Sequence, residues 1–432
     1  MENLVIALFC LILFGCIFMD VPLLLALFAG FLLFVAYGLY KKYSLGAVLK
    51  MALAGINNVK TIFLVFLLIG MLTGLWRASG TIAYIISLAT QFIRPSIFLL
   101  LAFLLNCAIS FLLGTSFGTA ATMGVITMSI GNTLGVPAFY TGGAILSGVY
   151  FGDRMSPVST SALLVSVLTE TDLYTNIRNM ALDTLPPFLA ASLIYLGVGL
   201  SLPVDQTLLA QNNALESLYQ FSPILVLPAL SILVLSFFHV NVKKNMGVSI
   251  ILAFILCVAV QGSAPGELLS IMLFGFHVQD PVLAPMVNGG GIVSMLRVGA
   301  IVCLSSSFAG IFQGTGLLDG VHAVLERLSQ KTGYFVPTLL SAIFTALISC
   351  NQTLSIILTS QLCGSLTDNK NQFAISLEDT AVVISPLIPW SIACATVLDT
   401  TGSPRESILF ACYLILVPLW ALLKSFRHPA SA

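Results

Sequence analysis

The stretch Gly148-Val149-Tyr150-Phe151-Gly152-Asp153-Arg154-Met155-Ser156-Pro157-Val158-Ser159-Thr160-Ser161 ends a long uncharged run. From Pro95 to Gly152 the chain carries no Asp, Glu, Lys or Arg. Then an acid and a base stand side by side, followed by a Ser-Pro break and a series of hydroxyls. An ionisable residue in lipid-compatible sequence is expensive unless it faces protein, water or an ion. Pro157 has no N–H to give, so carbonyls near it are left free to coordinate a ligand. The stretch reads as a binding site at membrane depth or as a turn at the membrane surface.

Composition sets the solvent. Of 432 residues, 58% are hydrophobic and 8% charged, against roughly 25% charged in soluble domains. Mean hydropathy is +1.05 over the whole length, which excludes a soluble enzyme with a single anchor. The apolar runs are longer than strands and do not alternate, so the fold class is an all-α polytopic membrane protein and not a β-barrel. Formal net charge is zero, which gives no reason to expect a nucleic-acid partner. Nine scattered cysteines form no CxxC pair and read as small packing residues. The apolar N-terminus carries Glu2 and no basic flank, so it reads as a retained helix and not a cleaved signal.

Apolar segments on either side of Asp20 precede Lys41, Lys42 and Lys50, which the positive-inside rule puts in the cytoplasm together with the N-terminus. Ile82–Ile93 is too short to cross upright, and 170–183 reads as a polar surface loop. Roughly 11–13 crossings or partial crossings fit the chain at about 20 residues each. The domain reading is a first transmembrane half at 1–202, a polar connector at 203–220 and a second transmembrane half at 221–432.

The halves resemble each other. Gly74-Leu75-Trp76-Arg77-Ala78-Ser79-Gly80 corresponds to Gly310-Ile311-Phe312-Gln313-Gly314-Thr315-Gly316, and Ala54-Gly55-Ile56 to Gly290-Gly291-Ile292. The Ser116 region corresponds to Ser349-Cys350-Asn351-Gln352-Thr353, and Asp153 with Ser156-Pro157 to Asp379 with Ser385-Pro386. Duplicated membrane halves with broken or re-entrant helices place a site at their interface. An inverted relation is expected. Lys41 and Lys42 have no basic counterpart near His277, which favours it, whereas Arg94 and the Arg327/Lys331 pair fall at matching places and do not.

Asp153 and Asp379 are therefore the candidate acids, able to hold Na⁺ or a proton. Ser116, Thr119, Ser156, Asn351 and Ser385 offer neutral oxygens that suit a hard cation, although hydroxyls and amides also serve as glue between membrane helices. Arg154 could clamp a carboxylate. Arg77 and Arg297 read as snorkelling residues. His239, His277, His322 and His428 show no metal spacing and read as membrane-interface residues.

Phe151-Gly152-Asp153-Arg154-Met155-Ser156-Pro157-Val158-Ser159 resembles the FGD(K/R)MSPLS motif of the NhaC-type sodium/proton antiporter family. Gly114-Thr115-Ser116-Phe117-Gly118-Thr119 resembles its GTSFGT segment. Leu377-Glu378-Asp379-Thr380 through Ser385-Pro386-Leu387-Ile388-Pro389-Trp390 resembles its LED…SPLIPW segment. The likeness runs from about Ala54 to Leu398. It implies a bacterial or archaeal cytoplasmic-membrane secondary transporter built on inverted repeats, often a dimer, with an elevator-like movement. At Thr160 this chain departs from the family pattern SPLSD-T-T, in which an Asp holds that position.

Two functions follow as expectations. One is Na⁺/H⁺ antiport, with Na⁺ and H⁺ as cargo and no cofactor. The other is a Na⁺- or H⁺-coupled carrier of a small organic acid or amino acid, with Arg154, Thr160 and their neighbours holding the solute. No HExxH motif is present, and no enzymatic activity is expected.

Overall fold

Apolar side chains cover the outside of this protein. Along the helix Leu173–Ser201, Leu182, Leu185, Leu189 and Leu193 stand exposed at three- and four-residue spacing. That stripe needs lipid, not water, as its solvent. The computed structural model describes residues 2–427 apart from 20, 58–59, 93, 158, 203–217, 239, 241, 280–286 and 317–321. Most of the connector expected at 203–220, and Asp20, His239 and His428, lie outside the described residues.

The α-helices of the first half are α1 (Glu2–Phe18), α2 (Leu23–Tyr40), α3 (Leu45–Asn57), α4 (Lys60–Ala78), α5 (Thr81–Phe92), α6 (Pro95–Leu113), α7 (Ser116–Thr119), α8 (Val125–Thr133), α9 (Ala138–Met155), α10 (Thr160–Thr169) and α11 (Leu173–Ser201). Those of the second are α12 (Leu227–Phe237), α13 (Val242–Ala259), α14 (Pro265–Phe274), α15 (Leu296–Thr315), α16 (His322–Thr332), α17 (Phe335–Ser349), α18 (Gln352–Cys363), α19 (Lys370–Asp379), α20 (Ala381–Ile384), α21 (Ile392–Thr401) and α22 (Cys412–Arg427). Among the described residues there is no strand, only an isolated bridge between Phe276 and Gly289.

Among the described residues three helices are long and apolar enough to cross a membrane alone: Pro95–Leu113, Leu173–Ser201 and Ile292–Phe312. Two bent pairs would add two more, α4 with α5 at 63° and Lys370–Leu387 with α21 at 53°. Two of the segments counted from sequence are thus pieces of bent helix pairs. The polar surface loop expected at 170–183 shrinks to three residues. Asp172 caps α11 by accepting from the Thr175 amide at 2.8 Å, and the helix begins there.

Some of the segments matched in sequence share backbone conformations. After α6, Gly114 is left-handed (φ 61°, ψ 23°) and Thr115 is extended (φ −144°, ψ 123°) before α7 starts. After α17, Cys350 is left-handed (φ 54°, ψ 13°) and Asn351 is extended (φ −145°, ψ 128°) before α18 starts. In both, the extended residue caps the new helix with its own side chain. Helices α4 and α15 likewise end at left-handed glycines, Gly80 and Gly316. Ser159 and Ser391 cap the helices that follow the two Ser-Pro breaks. One pairing differs: Gly55 lies inside α3, whereas Gly290 and Gly291 sit at φ 77° and 84° in a turn.

The broken helices interlock. α10 of the first half packs on α19 of the second, and α21 of the second packs on α9 of the first. Both contacts are antiparallel. Tyr150 near the end of α9 donates to the Ala393 carbonyl near the start of α21, at 2.7 Å. Gly142 near the start of α9 meets Ser403 beyond the end of α21. Glu170 at the end of α10 is paired with Lys370 at the start of α19, which holds its carboxyl below the ordinary carboxylate range. α9 lies close against α6 because Gly148 and Gly152, one turn apart, leave room for the α6 backbone.

Candidate functional site

The interlock brings the charged residues of the two halves together. Asp153 sits in the last turn of α9 and is 3% exposed. The Ser156-Pro157 break stops α9, and the Ser156 hydroxyl fixes that end to α6 by donating to the Phe111 carbonyl at 2.6 Å. The chain then turns back so that Ser159 and Ser161 reach Asp153. The Ser161 hydroxyl donates to Oδ2 at 3.1 Å, and the Ser159 hydroxyl donates to the Asp153 carbonyl and lies 3.4 Å from Oδ1. From the second half, Gln352 at the start of α18 donates Nε2 to Oδ2 at 2.9 Å and to the Val382 carbonyl at 2.9 Å. A buried carboxylate is tolerable only with such donors, each worth about 1.5–3 kcal/mol when the acceptor is charged.

Arg154 is 1% exposed and also joins the halves. Its guanidinium pairs with Asp379 at the end of α19. It also donates to the Thr184 hydroxyl on α11 and, at 3.1 Å, to the Tyr413 hydroxyl on α22. Sequence alone gave Asp379 the role of Na⁺ ligand and Arg154 that of solute clamp. In the structure the two side chains form an ion pair with each other.

The remaining candidates divide. Ser116 is buried and meets the Tyr150 hydroxyl. Thr119 is buried but returns its hydroxyl to the Thr115 carbonyl at 2.9 Å, beside a π-helical turn at Ala120–Gly124. Asn351 spends its side-chain oxygen on the Leu354 amide at 3.3 Å, as a cap. Ser385 is fully buried, with no partner for its hydroxyl. Thr160 is exposed, between the two serines that reach Asp153. Arg297 is exposed, and Arg77 lies half-buried against Gly289.

Ser159 and Ser161 were not among the residues selected from sequence, and Gln352 and Glu378 were noted only beside Asn351 and Asp379. The two serines lie in the opening motif and Gln352 follows the Asn351 cap, so spacing held a signal. Nothing in the order of residues distinguishes Glu378 from Asp379 beside it. Among the described residues no group of three His, Cys, Asp or Glu side chains could hold a metal ion in the manner of a resident cofactor. What the cluster can do is hold a small cation: a carboxylate, two hydroxyls that can turn their lone pairs toward it, and an amide.

The sequence profile of the Na⁺/H⁺ antiporter family matches residues 148–423, a segment that contains both Ser-Pro breaks and every residue of the Asp153 and Arg154 contacts. This protein belongs to the Na⁺/H⁺ antiporter family. Relatives in the family include the NhaC Na⁺/H⁺ antiporter of Alkalihalophilus pseudofirmus, 29% identical over 85% of this chain and 82% of the relative. The malate-2H⁺/Na⁺-lactate antiporter of Bacillus subtilis is 28% identical over 87% and 82%. The arginine/ornithine antiporter ArcD of Halobacterium salinarum is 28% identical over 90% and 84%. The family is one of antiporters, and this member is a multi-pass membrane protein.

Proposed function

We propose that this protein is a secondary active transporter exchanging Na⁺ for H⁺ across the cytoplasmic membrane, with the two ions competing for Asp153. The observation that carries the reading is the charge balance of the site. Its one arginine is already neutralised by Asp379, so the Asp153 cluster presents negative charge and neutral oxygens. That suits a hard monovalent cation or a proton. Ser159, Ser161 and Gln352 stabilise the ionised carboxylate and can share it with Na⁺; protonation of Asp153 releases the metal ion. Competition for one group couples the two flows without a further device.

We further infer that the halves are inverted about an axis in the membrane plane. The antiparallel contacts of α9 with α21 and of α10 with α19 support this, because the two broken segments, α9 with α10 and α19 with α21, then pass each other in opposite directions.

A coupled carrier of organic acids or amino acids is the second reading, favoured by the cargo in the names of two relatives of equal identity. Proteoliposomes with an imposed pH gradient separate the two. Addition of Na⁺ or Li⁺ is expected to dissipate the gradient, and Asp153→Asn to abolish the effect. If neither ion moves protons at any pH, the exchange reading is wrong, and uptake of labelled organic acids and amino acids tests the second.

A further inference from the structure

Glu378 is fully buried at the end of α19, and neither carboxylate oxygen has a hydrogen-bond partner. Its neighbour Asp379 has the opposite fate, paired with Arg154. The sequence puts the two acids side by side, but the helix sends them to different surroundings. An ionised carboxylate without a donor in a buried site costs several kcal/mol, so native proteins do not keep one without an occupant.

The groups around α19 do not supply that occupant. Arg154, Asp153 and Asp379 are the charged side chains close enough to act on Glu378. The Arg154 terminal nitrogens are committed to Asp379, Thr184 and Tyr413, and its Nε is buried without a hydrogen bond to Glu378 or any other acceptor. Helices α10, α18 and α20, which pack on α19, contain no Asp, Glu, Lys, Arg or His. On α11 and α22, Asp183 and Lys424 pair with each other at 2.6 Å, and Arg178 is exposed. Lys370, at the far end of α19, is held by Glu170. Tyr334, before α17, adds no positive charge.

We propose that Glu378 is the second cargo-exchanging carboxylate of the site, taking a monovalent cation, either a proton or Na⁺, while Asp379 serves only as the countercharge of Arg154. The assignment rests on the exchange reading above and adds a second occupant to it. The two acids of the transport step then face each other across the halves, Asp153 from α9 and Glu378 from α19. Asp153 has its own donors. Glu378 has none, so its negative charge must be met by cargo.

The test compares wild-type protein with Glu378→Gln and Asp379→Asn in proteoliposomes, alongside thermal unfolding in detergent. Glu378→Gln removes the charge at nearly constant shape and is expected to fold with an unfolding temperature at or above that of the wild type. It is expected to lose Na⁺-driven proton movement. Equilibrium exchange of labelled Na⁺ at equal pH on both sides separates the occupants: retained Na⁺/Na⁺ exchange identifies the proton at Glu378, and its loss identifies Na⁺. Asp379→Asn is expected to lower the unfolding temperature. Glu378→Gln vesicles that move protons as wild-type vesicles do would overturn the assignment. So would unfolding of both Glu378→Gln and Glu378→Leu while Asp379→Asn stays folded, since the carboxylate would then be structural. Wild-type vesicles that show no Na⁺-driven proton movement overturn the exchange reading itself, a different result.

Discussion

Arg154 and Asp379 lie 225 residues apart and form a buried ion pair that ties α9 of the first half to α19 of the second. The guanidinium also binds side chains of α11 and α22, so four helices converge on one charge. Asp153 and Glu378 precede the two partners in sequence, and the pair therefore fixes where both flanking acids stand.

Breaking such a pair from one side leaves a buried charge alone. Arg154→Gln or Asp379→Asn is expected to destabilise the protein by about 3–5 kcal/mol, whereas removing both charges in Arg154→Met/Asp379→Leu recovers most of that loss. Thermal unfolding in detergent measures it. Equal stability of the single variants and the wild type would show that the pair contributes nothing.

Among the described residues of the second half, Gln352 is the side chain that bonds Asp153 directly, at 2.9 Å. Gln352→Leu removes a donor to a charged acceptor, a loss of about 1.5–3 kcal/mol. The apparent KM for Na⁺ should rise by roughly tenfold or more on that basis, while the protein remains folded. A KM equal to that of the wild type would separate Gln352 from cation binding.

Thr160 occupies the place where the resembled motif carries an acid, yet it is exposed. Thr160→Asp adds a carboxylate in the first turn of α10, where the helix dipole favours it by about 0.3–1 kcal/mol. The variant should exchange Na⁺ for H⁺ with the KM of the native protein. A large change in KM would place this position in the ion path.

Gly152 lets α9 rest on α6. A Cβ there would come within 2.0 Å of the Ser110 carbonyl carbon, whereas one at Gly197 would meet nothing within 4 Å. Gly152→Ala should cost about 1–3 kcal/mol of overpacking and displace Asp153 with it. Gly197→Ala should leave stability unchanged or raise it. Unfolding temperatures and exchange rates of the two variants, measured together, decide the point.

Much of this was legible in the order of residues. A chain 58% hydrophobic and 8% charged has to be helical in lipid, because a backbone there must satisfy its own hydrogen bonds. Asp153 and the two Ser-Pro breaks were visible as departures from that background. The length of each helix was less so. The cap at Asp172 turned an expected surface loop into the start of α11, since one side-chain acceptor is enough to begin a helix among polar residues.

Sequence by itself determined that acids and bases stand inside a membrane protein, and at which positions. It could not say which charge meets which. Pairing depends on the crossing of α9, α10, α19 and α21, and a rotation of one residue along α19 exchanges the surroundings of Glu378 and Asp379. At about 100° per residue, adjacent side chains on a helix face different neighbours. Tertiary structure therefore gave Asp379 to Arg154, left Glu378 without a donor, and brought Gln352 to Asp153. Each choice was set by the cost of burying a charge without a partner.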